Sequence, residues 1–205
     1  MEKVNLYVDG FNLYFGMREK FGHRFKWLDL TALAVELCKS HQQVGAVKYF
    51  TARIKGPDRS KVQHQSDYLD ALETQGVQII YGKYQDREVE CKFCGKTYRR
   101  YEEKESDVNL GTHLLLDAVA NEADVFVVVS GDSDLIAPMR AVKERFNKSI
   151  VPVFPPNRHS NDIVQRIGRP VFLNRAILSR TQLPFEVVTR RGHKIRRPKK
   201  WNSHR

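Results

Sequence analysis

Four aspartates define the chemistry open to this chain: Asp9, Asp107, Asp132 and Asp134. The last two stand in Ser130-Gly131-Asp132-Ser133-Asp134, directly after the run Val125-Phe126-Val127-Val128-Val129. That β-branched run reads as a strand buried on both faces, the kind found in parallel sheets. The apolar spacing from Leu135 to Phe146 reads as the helix that follows. In open α/β sheets, strand-to-helix loops at the carboxyl ends of the strands hold the ligand. Two carboxylates placed there repel each other unless a proton or a cation intervenes.

Other carboxylates can join them. Asp9 ends a short strand, Val4 to Val8, and opens the turn-like Asp9-Gly10-Phe11-Asn12. If the two strands are neighbours at the switch point of the sheet, Asp9 and Asp132 emerge into one crevice. Asp107 lies in the first turn of the strongest helix pattern, Ser106 to Asn121, where an anion is favoured. It shares a face with Leu110, Gly111, Leu114 and Ala118, so that face packs on the sheet. Asp117 lies about 15 Å further along the axis and falls outside such a site. The alternative is that Asp9, Asp107 and Asp132 are three solvated loop acids. If they converge, hard oxygen ligands without His or Cys select Mg²⁺ or Mn²⁺. Those ions activate water and stabilise the charge that develops on a phosphate. Asp134, before Leu135, reads either as the N-cap of the next helix, which Pro138 suits, or as a cap that also serves the metal. Asn12 in Gly-Phe-Asn is good turn chemistry in its own right.

The elements that would position these residues alternate. Strands are expected at 4–8, 44–53, 77–81, 125–129 and 149–154, and helices at 28–40, 62–75, 106–121 and 135–146. Shorter helices are expected at 160–167 and 174–180. Tyr14 to Trp27 is aromatic and basic without clean periodicity and reads as an irregular or partly helical excursion. This alternation calls for an α/β fold with a mostly parallel, doubly wound sheet of about five strands and helices on both faces.

Composition narrows the class of partner. The 205 residues suit one domain with appendages. Lys and Arg number 35 against 24 acidic residues, a net charge of +11 that favours a polyanion. Eight of those basic residues follow Glu186, where no acid remains, which leaves +3 for the rest. Residues 1–186 therefore read as the domain and 187–205 as a basic tail. Arg190, Arg191, Lys194, Arg196, Arg197, Lys199 and Lys200, with Trp201 at the end of the run, fit phosphate contacts and base stacking. The alternative is a disordered, solubilising tail. No secretory leader pattern is present and no apolar run approaches the roughly 18 residues that span a bilayer, so a cytoplasmic protein with no membrane partner is expected.

A polar insertion, 84–102, carries Cys91-Lys92-Phe93-Cys94-Gly95, half of a zinc knuckle. Structural zinc wants four ligands and only two are here. A symmetry mate in a homodimer, or His residues, would have to complete it. Free thiols in a β-hairpin and a redox pair are the other readings. Cys38 sits on an apolar helix face and reads as core.

Together, Asp9-Gly-Phe-Asn12, Glu105-Ser-Asp107-Val-Asn109 and Ser130-Gly-Asp132-Ser-Asp134 resemble the motifs of NYN-domain proteins, PIN-like ribonucleases of the bacterial LabA/DUF88-like group. The resemblance spans roughly residues 4–183. It implies a Rossmann-like PIN fold and Mg²⁺- or Mn²⁺-dependent cleavage of RNA phosphodiesters. It also implies that Asp9, Asp107, Asp132 and Asp134 are the metal-binding and catalytic acids. Asn12 would orient a ligand or phosphate, and Ser130 would support the pocket. A non-catalytic RNA-binding module is the alternative. A haloacid-dehalogenase-like phosphatase would need Asp where Phe11 stands. A receiver domain would need a phosphoacceptor Asp where Tyr81-Gly82-Lys83 follows the third strand.

Overall fold

The computed structural model describes residues 1–201. The chain runs β1 (Glu2–Asp9), α1 (Gly10–Phe21), α2 (Leu30–Leu37), β2 (Gln42–Thr51), α3 (Arg59–Thr74) and β3 (Gln78–Tyr81). A hairpin, β4 (Lys83–Glu90) and β5 (Thr97–Lys104), precedes α4 (Ser106–Val119). Then come β6 (Val125–Val129), a 3₁₀ turn (Ser133–Leu135), α5 (Ile136–Arg145), β7 (Ser149–Phe154), α6 (Asn161–Arg166), β8 (Val171–Phe172) and α7 (Arg175–Arg180). A second hairpin, β9 (Glu186–Val188) and β10 (Lys194–Arg196), ends in a 3₁₀ turn at Lys199–Trp201.

Six of these strands form one sheet in the order β3-β2-β1-β6-β7-β8, each pairing parallel. The alternation of strand and helix therefore resolved into the expected α/β fold. The sixth strand, β8, is only two residues long and too short to leave a periodic signal.

Side-chain alternation along the strands divides the core into two layers. Val4, Leu6 and Val8 of β1 and Val125, Val127 and Val129 of β6 pack with α1, α2, α3 and α7. Tyr7 of β1 and Phe126 and Val128 of β6 pack on the other face with α4, α5 and α6. Asp9 is on the same alternation as Tyr7, and so on the face that α4 covers.

Residues 10–21 form a regular helix, so the segment 14–27 is the partly helical of the two readings, and the helix starts earlier, directly after Asp9. Its buried face is Gly10, Leu13, Gly16 and Met17, and two glycines carry no hydrophobic signal. They are there because the helix approaches its neighbours closely. A Cβ at Gly10 would lie 2.6 Å from the Tyr49 ring, and one at Gly16 would lie 2.4 Å from the Pro156 carbonyl oxygen.

The insertion is an antiparallel hairpin in register from Lys83–Lys104 to Glu90–Thr97. Tyr84 stacks on Tyr101 at 5.9 Å and on Phe11 at 6.4 Å, which docks the hairpin base against α1.

The basic segment after Glu186 differs from an appended tail as far as Trp201. Val187, Ile195 and Trp201 belong to the core layer around α3, so residues 187–201 are part of the domain. Isolated apolar residues among cations give little hydropathy signal, yet the hairpin gathers them on one side. Asn202 to Arg205, the end of the expected tail, lie outside the described residues. Among the described residues no helix is long and apolar enough to cross a membrane.

Candidate functional site

β1 and β6 pair directly, Val8 opposite Val129, at the point where the strand order reverses. The chain leaves both strands in the same direction, so Asp9 and Ser130 emerge side by side. Asp9 is 5% exposed and caps α1: its Oδ1 accepts the Asn12 N–H at 2.9 Å. Its Oδ2 accepts the Ser130 hydroxyl at 2.9 Å. The Ser130 Oγ in turn accepts the Asp132 N–H at 3.0 Å. Asn12 closes the link between the two loops, its Oδ1 accepting the Gly131 N–H at 3.0 Å. That contact, more than turn chemistry, accounts for the side chain, and its carbonyl oxygen is already engaged.

The acids feel one another. Burial pushes the Asp9 carboxyl up to about 7, with Asp107 and then Asp132 adding to the rise against the opposing Asn12 and Ser130 hydrogen bonds. Asp107, half-buried in the first turn of α4, is pushed up to about 6 by burial and by Asp132, Glu103 and Asp134. All four predicted aspartates thus lie within electrostatic reach at one sheet edge. They are not three independent solvated acids.

Two details differ from expectation. Asp134 is not the N-cap: Asp132 is, its Oδ1 accepting the Asp134 N–H at 2.9 Å at the start of the 3₁₀ turn. Asp134 lies inside that turn and is exposed, because the chain turns two residues earlier than the apolar pattern suggested. Glu103 is an addition. It is the second-last residue of β5, raises Asp107, and accepts the Ser106 N–H at 3.0 Å. Its place in a polar strand gave no cue. Asp117 stands apart, accepting from the Tyr7 hydroxyl and the Lys48 ammonium, each at 2.6 Å.

The donor chemistry, oxygen ligands with no His or Cys among them, suits a hard divalent cation. Among the described residues, however, no three His, Cys, Asp or Glu side chains stand close enough to form a ready-made cage. Mg²⁺ does not demand one: it keeps several waters and is commonly held by one or two carboxylates plus substrate phosphate. Asp9, Asp107 and Asp132 fit that role.

Of the basic residues expected to meet nucleic acid, Arg190, Arg191, Lys199 and Lys200 are exposed. Lys194 and Arg196 are exposed but pair with Glu186 at 3.1 and 2.9 Å. Arg197 donates to the Leu183 carbonyl at 2.9 Å. Trp201 is 8% exposed and packs on Trp27, His64 and Tyr68, which removes it as an outward stacking platform. Cys91 and Cys94 are free thiols at the hairpin tip, where Gly95 (φ +65°) lets its N–H reach the Cys91 carbonyl. Backbone N–H groups of Phe93 and Cys94 hold the Cys91 thiol below its usual range.

The family model of the NYN domain matches residues 3–169, a span that holds all four aspartates. A 6-hydroxy-3-succinoylpyridine 3-monooxygenase from Pseudomonas putida is 26% identical over 238 aligned positions, covering 97% of this chain and 75% of that protein. A protein of unknown function from Vibrio parahaemolyticus, solved by crystallography, superposes with a TM-score of 0.58. It is 19% identical, over 85% of this chain and 94% of that one, and it shares the fold alone.

Proposed function

Since the chain belongs to the NYN domain family, within the PIN-like superfamily, we propose that it is a Mg²⁺- or Mn²⁺-dependent ribonuclease that hydrolyses RNA phosphodiester bonds. The observation that carries this reading is the set of aspartates gathered where β1 and β6 meet, with Asp9 and Asp107 raised to about 7 and about 6. Buried carboxylates raised by burial and by one another at a strand-end crevice mark a candidate functional site.

Asp9, Asp107 and Asp132 would hold the cation, and exposed Asp134 would add negative charge or a water-mediated contact. A bound divalent cation would supply a nucleophilic water and neutralise charge on the phosphate. The chain's own residues do the positioning. Ser130 fixes the Asp9 carboxylate and the Asp132 backbone together, and Asn12 holds the β6 loop against α1. Exposed Arg190, Arg191, Lys199 and Lys200 would draw RNA in without reading its sequence.

A non-catalytic RNA-binding module remains as a second reading, favoured by one observation: no three ligands among the described residues already stand at coordination distance. One assay separates the two. Labelled RNA is incubated with the protein and Mn²⁺ or Mg²⁺, beside Asp9→Asn and Asp132→Asn. Cleavage by the wild type alone supports the nuclease. Equal cleavage by all three, or binding without cleavage by all three, sinks it. The oxygenation named for the Pseudomonas relative stays with that relative at this level of identity.

A further inference from the structure

On the opposite side of β1 from the carboxylates, a cavity of about 290 Å³ opens between α1, α3 and the C-terminal turn. That is near the lower end of the roughly 300–1,000 Å³ usual for ligand pockets. Its walls are aromatic: Phe11, Tyr14, Tyr49, Tyr68 and Trp201. Basic side chains join them, among them Arg18, His23, Lys26, His64 and Lys200, beside the uncharged Thr51, Ser60 and Gln65. The one carboxylate in the lining, Asp58, is engaged by Lys61 at 3.1 Å.

Lys26 is the feature the fold does not explain. It is 3% exposed, yet among the described residues no carboxylate pairs with it. Its ammonium contacts the Tyr14 hydroxyl at 3.3 Å and His23 Nδ1 at 3.2 Å, and lies 4.4 Å from the Tyr14 ring centre. Buried cations are normally paired with a carboxylate, whereas this one lines a cavity with only neutral side chains on it. Burial pulls the Lys26 ammonium down to about 8, with Arg18 adding to the fall.

We propose that this cavity is a subsite for a single nucleotide, its base among the aromatic rings and its phosphate against Lys26. Base stacking on aromatic faces is sequence-tolerant, and a phosphate supplies the missing counter-charge. The position argues for a nucleotide over other ring anions. Gly10 and Phe11 line the cavity and directly follow Asp9, and Tyr49 packs within 2.6 Å of where a Gly10 Cβ would stand. The cavity thus reaches the carboxyl end of β1, where Asp9 stands, although it opens on the other face of that strand. The inference rests on the RNA reading only in that choice of ring anion, and its test needs no cleavage.

The test uses the full chain carrying Asp132→Asn in metal-free buffer. Trp27 and Trp201 are the two tryptophans, their ring centres 6.1 Å apart, and Trp201 lines the cavity, so occupancy is read from tryptophan emission. AMP and UMP are titrated beside inorganic phosphate, benzoate and a five-nucleotide RNA. Saturable quenching by the nucleotides, weakened at least about tenfold by Lys26→Met and by Tyr14→Leu in proteins with intact melting transitions, is expected. RNA tighter than the mononucleotides identifies a strand as the source, and equal affinity identifies the free nucleotide. Benzoate tighter than both nucleotides overturns the assignment, as does phosphate equal to them, or no response to any nucleotide at about 5 mM. Binding here with no cleavage by wild type would leave this subsite standing while the nuclease reading fell.

Discussion

The Ser130 hydroxyl donates to Asp9 Oδ2 at 2.9 Å, joining residues 121 apart in sequence across two parallel strands. Because Ser130 also accepts from the Asp132 backbone, one 2%-exposed hydroxyl sets the relative position of two of the candidate ligands. Ser130→Ala should cost about 1 kcal/mol of stability in urea unfolding, the usual worth of a buried hydrogen bond. Its larger effect should be on activity: the metal concentration needed for half-maximal RNA cleavage should rise, since Asp9 loses a partner of its charged form.

Asp9 makes the protein's stability depend on pH in a direction opposite to most acids. Its folded pKa, about 7, lies above its unfolded value. The stabilisation is therefore complete below about 4 and is lost as pH rises toward 7. Asp9→Asn keeps the cap to Asn12 and removes the ionisation. In metal-free buffer at pH 8 it should be more stable than wild type by something on the order of 2 kcal/mol, and the gap should close by pH 4. Added Mn²⁺ should raise the melting temperature of wild type and leave the variant's in place.

Lys26 gives the mirror case. Its folded pKa, about 8, is below the unfolded one, so stability rises with pH between about 8 and 10.5. Lys26→Met should raise the melting temperature at pH 7, and its advantage should vanish by about pH 10.5. Thermal melts of both proteins across that range check this. A gain in stability together with a loss of nucleotide binding is the trade-off expected of a charge retained for a ligand.

Asp117 should matter for folding alone. It is the shared acceptor of Tyr7 and Lys48 beneath α4, and Lys48 is 7% exposed. Asp117→Ala leaves that ammonium buried without a counter-ion and should cost about 3–5 kcal/mol in denaturant unfolding. At a temperature where the variant is folded, its RNA affinity should match wild type.

For the hairpin tip, we propose that Cys91 and Cys94 contribute half of a Zn²⁺ site completed by a second copy of the chain. Elemental analysis should then find one zinc per two chains, in a dimer that Cys91→Ser reduces to monomers. Zinc-free dimers, or zinc in monomers, would rule out the shared site.

Much of this was legible from residues alone. The β-branched run at 125–129, the strand ending at Asp9 and the helix opening at Asp107 are local patterns, and each formed where its periodicity placed it. Their alternation determined a parallel α/β sheet, and the spacing of the aspartates determined that they would stand at strand ends and a helix start. Periodicity failed where burial relies on glycines or on single apolar residues, as in α1 and the closing hairpin around Ile195. What only the tertiary structure decided is adjacency. Strand order brought β1 beside β6 and so joined Ser130 to Asp9 and Asn12 to Gly131. The folding-back of residues 187–201 turned Trp201 from a tail residue into the wall of a cavity around Lys26. Such contacts span more than a hundred residues, and no local propensity encodes them: they exist only because a whole sheet edge and two core layers close at once.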